Sequence, residues 1–365
     1  MKIAILGTRG IPNYHGGFEQ FAEFFAVFLV EKGHDVTVYN SSQHPHKESY
    51  FKGVKIKHCL DPEKTLGTPA QFVYDLMCIL DTRKNNFDII LQLGYTSSSV
   101  WHWFLPKNAV IITNMDGLEW KRSKYSRKVQ TFLKYAEKLA VKSSHHLVAD
   151  SIGIQAYLTD TYQKQSTYIA YGAHVFKTPD STVLKAYNVA PYNYNMLVAR
   201  LEPENNIETI LDGISQANSK QTFLVVGKHD VNKFGAYLKE KYQDYPHIKF
   251  IGGVYNLAHL NNLRYFSNLY FHGHSVGGTN PSLLEAMASN ALIIAHNNVF
   301  NKAILAEDAY YFKTPEEVVF FANSLNKLNN KTLITNNVNK IATKFNWEKI
   351  NQAYLRLFES VLTKY

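Results

Sequence analysis

The chain opens on Lys2–Leu6, a short run with Ile3, Ala4, Ile5 and Leu6 in succession. A glycine-bearing loop follows, and then Phe18, Phe21, Ala22, Phe25, Phe28 and Leu29 recur at helical spacing. A brief apolar run that gives way to a 3.6-residue period reads as a buried strand feeding an amphipathic helix. Gly33 closes that helix, and Asp35–Tyr39 alternates as a second strand. The pattern continues with strands predicted at Val54–His58, Asp88–Gln92, Val110–Asn114 and His146–Ala149. Helices are predicted between them over Gln71–Asp81, Arg127–Lys142 and Ser151–Thr161. Strands alternating with helices imply an α/β fold with a parallel, doubly wound sheet.

The pattern then restarts. After a Pro-, Tyr- and Asn-rich stretch from Pro179 to Tyr194, strands are predicted at Met196–Ala199, Phe223–Val226, Ile248–Phe250, Leu269–His272 and Leu292–Ala295. Helices Ile207–Ala217, Lys233–Tyr242, Leu257–Phe266 and Pro281–Ala288 alternate with them. A last helix, Trp347–Thr363, is amphipathic through Ile350, Tyr354, Leu357 and Val361. The 365 residues exceed what one hydrophobic core usually serves. The expected division is a first Rossmann-like domain over residues 1–172, a second over 173–345, and a helix over 346–365 that packs back on the first. Two such domains would face a central cleft, where ligands commonly bind.

Composition narrows the class. With 45% hydrophobic and 19% charged residues the chain is an ordinary globular one, which excludes disordered, collagen-like and coiled-coil classes. A net charge of +9 favours anionic partners: nucleotides, phosphates, nucleic acid or an acidic membrane face. No nucleic-acid-binding motif accompanies the charge, so none is expected as a partner. The two cysteines, Cys59 and Cys78, exclude a disulfide scaffold and suit a reducing compartment. The opening apolar run is too short for a signal peptide, and Phe24–Val30 is about a third of the ~20 residues a spanning helix needs. A cytoplasmic location is expected, with attachment to a membrane surface open.

The loop from Gly7 to Gly17 joins strand to helix, and Gly16-Gly17 would let a ligand approach the backbone near a helix start. An ordinary βα turn reads equally well. The loop is not G-x-G-x-x-G, and Asn40-Ser41-Ser42 supplies no acid after the second strand, which argues against a nicotinamide dehydrogenase. The chain holds no Asp-x-Asp, so a metal-bridged diphosphate is not expected; His272 and His274 lack ligand partners at metal spacing and read as strand-end histidines. The most specific stretch runs from His272 through Gly277-Gly278-Thr279-Asn280-Pro281 to Ala288. Pro281 suits a first helical turn with Asn280 as its N-cap, and backbone donors at Thr279 and Asn280 would face a phosphate. Glu285 lies one turn on, where a carboxylate can accept sugar hydroxyls, each such bond worth roughly 1.5–3 kcal/mol; the alternative is a solvent-facing helix glutamate. Asp116 follows the strand Val110–Asn114, and reads either as a group at the carboxyl end of the first sheet, near the expected cleft, or as a turn aspartate before Gly117. Lys121, Arg122, Lys124, Arg127, Lys128, Lys134, Lys138 and Lys142, with the single acid Glu137, form a basic amphipathic face. It reads either as a dock for anionic lipid or as a solvated helix face.

These segments carry a resemblance. Gly16-Gly17-Phe18-Glu19, Tyr171-Gly172-Ala173, Leu197 to Glu204, Ser282 to Ala288 and Asn346-Trp347-Glu348 resemble the large retaining family 4 of GT-B glycosyltransferases over nearly the whole chain. The resemblance implies a metal-independent hexosyltransferase with a nucleotide-sugar donor and no cofactor. It places Arg200 on the diphosphate, Glu285 on the ribose and Val254 in the segment beside the base. Gly16, Gly17, Gly278, Thr279 and Asn280 join the donor site, and Arg9 and Asp116 lie on the acceptor side. Asp116 and Arg200 are the expected catalytic groups. Two departures stand out: the family's first glutamate, eight positions before Glu285, falls on Gly277, and its lysine, five after Arg200, falls on Asn205. With the lysine gone, Arg9 or Lys228 would share the diphosphate charge. Together with Asn114–Arg122 and Ser275–Ser282, the departures resemble bacterial rhamnosyltransferases that use dTDP-L-rhamnose to build capsule and cell-wall polysaccharide. A lipid-diphosphate-linked saccharide acceptor, an anionic membrane surface bound through the helix at 121–142, and a peripheral position on the inner membrane face follow as expectations. A UDP-hexose or UDP-N-acetylhexosamine transferase and a non-catalytic sugar-binding protein remain the alternatives.

Overall fold

The structure, a computed structural model, describes residues 1–122 and 124–363. Ser123, inside the basic run, and residues 364–365, at the end of the expected last segment, lie outside the described residues. The chain divides into two compact units. Met1–Lys121, Tyr125–Ala170 and Trp347–Tyr365 form one, and Arg122–Lys124 with Tyr171–Asn346 form the other.

The first unit runs β1 (Lys2–Leu6), α1 (Gly17–Glu31), β2 (Asp35–Ser41), β3 (Tyr50–Phe51), β4 (Val54–Cys59), α2 (Glu63–Leu66), α3 (Ala70–Thr82), β5 (Ile89–Leu93) and β6 (Val110–Asn114). It continues with α4 (Arg127–Ser143), β7 (His146–Ala149), α5 (Ile152–Tyr162) and β8 (Thr167–Tyr168). The sheet order is β3-β4-β2-β1-β5-β6-β7-β8, parallel except for the β3–β4 pair. The second unit runs β9 (Tyr194–Val198), α6 (Ile207–Gln216), β10 (Thr222–Val226), α7 (Lys233–Lys241), β11 (Ile248–Gly252), α8 (Leu257–Phe266), β12 (Tyr270–His272) and α9 (Pro281–Ala288). It ends with β13 (Ile293–His296), α10 (Val299–Leu305), β14 (Tyr310–Phe312), α11 (Pro315–Ser324) and α12 (Lys331–Thr343). Its six strands, all parallel, lie in the order β11-β10-β9-β12-β13-β14. In each unit the order reverses beside the first strand. That is the doubly wound arrangement, and it opens a crevice beyond the carboxyl ends of the two strands at the switch point.

The central strands β1, β5, β6, β9, β10, β12 and β13 are buried on both faces, as parallel strands covered by helices must be. Leu197, Phe223, Val225, Phe271 and Ile294 form the middle of the second core, with Ile207, Ile210 and Leu211 of α6 laid over them. The last helix, α13 (Trp347–Leu362), belongs to the first unit by packing. Its aromatic stripe meets the phenylalanines of α1, with ring centroids 4.8 Å apart for Phe24–Trp347, 4.7 Å for Phe21–Tyr354 and 5.5 Å for Phe25–Phe358. No helix among the described residues is long and apolar enough to cross a membrane.

Two expectations need correction. The apolar pattern predicts no element between Ala295 and Trp347, where the structure has α10, β14, α11 and α12. The basic run is also not one helical face, because α4 begins at Arg127 and Glu119–Lys121 forms a separate single turn.

Candidate functional site

In the second unit the switch point lies between β9 and β12, which pair through Met196–Tyr270 and Leu197–Phe271. The segments leaving these two strands are fastened to one another. Asn206 donates to the Gly273 carbonyl at 2.7 Å, and Ser275 donates to the Glu204 carbonyl through both its backbone N–H (3.1 Å) and its hydroxyl (2.7 Å). Asn205, standing where relatives carry lysine, donates its amide to the Arg200 carbonyl at 2.7 Å. Its side-chain oxygen, an acceptor only, accepts a hydrogen bond from the Nδ1–H of His274 at 2.7 Å. Burial, then the charges of Arg122 and Arg200, push His274 down to about 3, so the imidazole is neutral. The lysine is thus replaced by a group that shapes the loop rather than by another cation. Arg200 itself is exposed at the mouth of this crevice. Glu204, on the same loop, pairs with Arg122 at 3.8 Å, which withdraws Arg122 from the basic face.

The glycine-rich loop has its own geometry. Gly277 sits at φ +120°, a region that L side chains rarely adopt. A glutamate at this position would therefore need a differently shaped loop, so the departure is conformational as well as chemical. Asn280 caps α9 as expected, accepting the Ser282 N–H at 2.9 Å, and Pro281 opens the helix. Gly278 and Asn280 are half-buried and Thr279 is buried. Glu285, one turn along, is not a solvent-facing helix residue. Its Oε2 accepts from Arg264 Nη2 at 2.8 Å; the arginine side chain is 1% exposed and the glutamate 21%. Arg264 comes from α8 and was not foreseen, although a charge one helical turn after Leu260 on an otherwise apolar stripe is a legible signal. Val254 is half-buried in the loop after β11, and Lys228 lies with its ammonium 5.4 Å from the Tyr255 ring.

In the first unit the loop after β1 is held from below. A Cβ at Gly7 (φ +89°) would meet the Leu93 carbonyl at 2.2 Å, so the strand-end backbones of β1 and β5 are in contact there. Gly16, by contrast, is the N-cap of α1 in extended geometry, with Gly17 the first helical residue. Asn40 clamps the loop back, accepting the Ile11 N–H at 3.1 Å and donating to the Ile11 carbonyl at 2.8 Å. Arg9 forms a two-pronged pair with Glu63, one prong at 2.8 Å. Glu63 thus meets the Arg9 charge within the first unit. Asp116 is half-buried at φ +51°, and its N–H donates to Asn114 Oδ1 at 3.0 Å.

The basic run contains a closed network. Glu137, the one acid, is buried and accepts from Trp120 Nε1 (3.1 Å), Lys134 (2.9 Å) and the hydroxyls of Tyr157 (2.5 Å), Tyr162 (2.6 Å) and Tyr95 (3.3 Å). The Lys134 ammonium lies 4.4 Å from the Trp120 ring and 4.5 Å from that of Tyr157. Lys134 is therefore part of the fold. Lys121, Lys124, Arg127, Lys128, Lys138 and Lys142 remain exposed. Among the described residues, no group of three or more histidines, cysteines and acids could hold a metal ion.

Two doubly wound units, the second with a glycine-rich loop and carboxylate-bearing helix at its switch point, make up the GT-B fold. Residues 188–351 match the family described as glycosyl transferases group 1, and residues 1–174 match a domain of unknown function, DUF1972. The likeness to the glycosyl transferases group 1 family thus lies in the second domain. No curated protein matches it. Among solved structures it is similar to a sucrose-phosphate synthase from Thermosynechococcus elongatus, at 17% identity and TM-score 0.80 over 100% of both chains. It is also similar to HepE from Anabaena in complex with UDP and glucose, at 16% identity and TM-score 0.77 over 99% of this chain and 100% of that one. The α,α-trehalose 6-phosphate synthase of Burkholderia multivorans matches at 11% identity and TM-score 0.72 over 100% and 99%.

Proposed function

We propose that this protein transfers a sugar from a nucleotide diphosphate donor, L-rhamnose from dTDP-L-rhamnose, with retention, to a lipid-diphosphate-linked saccharide in bacterial surface polysaccharide synthesis. The observation that carries the nucleotide reading is the Glu285 carboxylate, held by Arg264 one turn inside the start of α9. HepE, described with UDP and glucose, and a starch synthase IV domain from Arabidopsis thaliana, described with ADP, support a nucleoside diphosphate as the ligand class. In this reading Glu285 binds the ribose, while Arg200 and the turn Gly278-Thr279-Asn280 meet the diphosphate. Aligned donors where negative charge grows are the largest contribution such a site can make. Val254 lies beside the base, Gly16 and Gly17 line the approach, and Asp116 orients or deprotonates the acceptor hydroxyl. The reaction needs no metal or cofactor in this account. The rhamnose donor is supported by the runs Asn114–Arg122 and Ser275–Ser282 and by the Gly277 loop, which puts no carboxylate where hexose transferases hold donor hydroxyls.

The exposed lysines of residues 121–142, with Arg127, support docking to anionic lipid, and with it a cytoplasmic, peripheral position at the inner membrane face. A UDP-hexose donor is the second reading, favoured by the likeness to HepE, which is also described with UDP-glucose. Titration calorimetry with dTDP, UDP, GDP and ADP tests the nucleotide site. Tightest binding of dTDP supports the proposal, tightest binding of UDP supports the second reading, and no binding of any overturns both.

A further inference from the structure

We infer that Arg264 is a positioning residue for the donor nucleotide: from behind α9 it holds both the carboxylate that receives the ribose and the first turn of the helix that receives the diphosphate. The inference rests on the reading of Glu285 given above and deepens it.

The geometry is specific. Arg264 Nη2 lies 2.8 Å from Glu285 Oε2 and 3.0 Å from Ser282 Oγ, and Nη1 lies 3.3 Å from Asn261 Oδ1. Ser282 Oγ is also 3.0 Å from the Tyr270 hydroxyl, and the Ser282 N–H donates to the capping Asn280. One guanidinium therefore touches the carboxylate and the capped turn together. Arg264 is fully buried whereas Glu285 reaches the surface of the unit, so the cation sits behind and the carboxylate in front. For stability alone this arrangement has little to recommend it, since a buried ion pair is often no better than apolar side chains of the same volume. A planar fork that fixes one oxygen of a half-exposed carboxylate is instead what a preorganised hydrogen-bond acceptor requires. A lysine at this position would keep the charge but lose the planar head whose Nη1 is tied to Asn261 while its Nη2 meets Glu285 and Ser282.

The test uses the full chain, with each variant's melting curve as the check on folding. Affinities are measured for dTDP and UDP, each against its analogue lacking the 3′-hydroxyl, in the wild type, Glu285→Gln, Arg264→Gln and Arg264→Lys. The wild type is expected to prefer the hydroxyl-bearing member of the tighter-binding pair by about tenfold, the scale of one hydrogen bond to a charged group. Arg264→Gln should lower that preference to the level of Glu285→Gln, and Arg264→Lys should restore part of it. A folded Arg264→Gln protein with the wild-type preference overturns this inference alone, provided Glu285→Gln has lost it. If the glutamine variant does not fold, a full wild-type preference in Arg264→Lys overturns it. A wild type that ignores the 3′-hydroxyl overturns the ribose role of Glu285 and this inference with it.

Discussion

Asn114, at the end of β6, donates its side-chain amide to the hydroxyl of Tyr354 on α13 at 2.8 Å, while its carbonyl oxygen accepts the Asp116 N–H at 3.0 Å. A helix 240 residues further along the chain thereby fixes the turn that presents Asp116. Tyr354→Phe leaves a buried amide without its acceptor, which costs about 1–3 kcal/mol. The variant should melt several degrees lower and transfer more slowly, with nucleotide affinity unchanged, because the Tyr354 hydroxyl holds Asn114 and the turn at Asp116 within the first unit. Differential scanning calorimetry and a transfer assay check the two effects. An unchanged melting point would remove the structural premise.

Asp75 on α3 sets a pH dependence. Burial pushes its carboxyl up to about 6, against hydrogen bonds from Ser97 (2.5 Å) and Gln71 (3.1 Å) that favour the charged form. A carboxyl raised on folding contributes stability when protonated. That contribution is complete below about pH 4 and is lost as pH rises through about 6. Asp75→Asn keeps the shape without the charge, so its stability relative to wild type should rise by about 1 kcal/mol between about pH 5 and pH 8. Urea denaturation at the two pH values measures this, and parallel pH profiles for the two proteins would contradict it.

The exposed cations of residues 121–142 and the enclosed Lys134 should behave differently. Replacing Lys128, Lys138 and Lys142 with glutamine should weaken binding to anionic vesicles with little effect on melting. Lys134→Gln should lower the melting point and leave vesicle binding intact, because its ammonium lies among Trp120, Tyr157 and Glu137. Vesicle co-sedimentation distinguishes them. Equal binding by the triple variant and the wild type would sink the membrane-docking role.

Where apolar periodicity was strong, the elements were legible to within a residue or two. Val110–Asn114, His146–Ala149, Leu257–Phe266 and Pro281–Ala288 coincide with β6, β7, α8 and α9. The segment after β13 was not read because its helices carry little periodic signal. In α12, Lys331–Thr343, only Ile334, Asn337 and Ile341 are buried, and Asn337 puts a polar residue on the buried face. The start of α11 was nonetheless written in the chain as Thr314-Pro315-Glu316-Glu317, a capping box with proline at the first helical position. In the candidate site, residues with a local signature could be read: Asn280 as N-cap, Glu285 on its helix, Asp116 after its strand. Arg264 with Glu285, Asn205 with His274, and Glu137 with its ring of tyrosines could not, because each depends on side chains that only the tertiary packing brings together.

The Arg264–Glu285 pair also dictates how Glu285 should be altered. Glu285→Ala would leave a buried guanidinium without its carboxylate, so lost activity would be mixed with lost stability. Glu285→Gln keeps an oxygen for Arg264 and should retain most of the melting temperature while lowering nucleotide affinity by about tenfold or more. Calorimetry on the folded variant measures it, and wild-type affinity would remove Glu285 from the site.

The central claim is transfer of a sugar from a nucleotide donor, and it is tested most directly by following nucleoside diphosphate release. The purified protein is incubated with dTDP-L-rhamnose, UDP-glucose, UDP-N-acetylglucosamine and a GDP-sugar, with and without a lipid-diphosphate saccharide acceptor. The account predicts acceptor-dependent release of dTDP from dTDP-L-rhamnose and a product heavier by one deoxyhexose. Turnover confined to UDP-sugars would contradict the rhamnose donor, and no turnover with any donor would contradict the transferase reading itself.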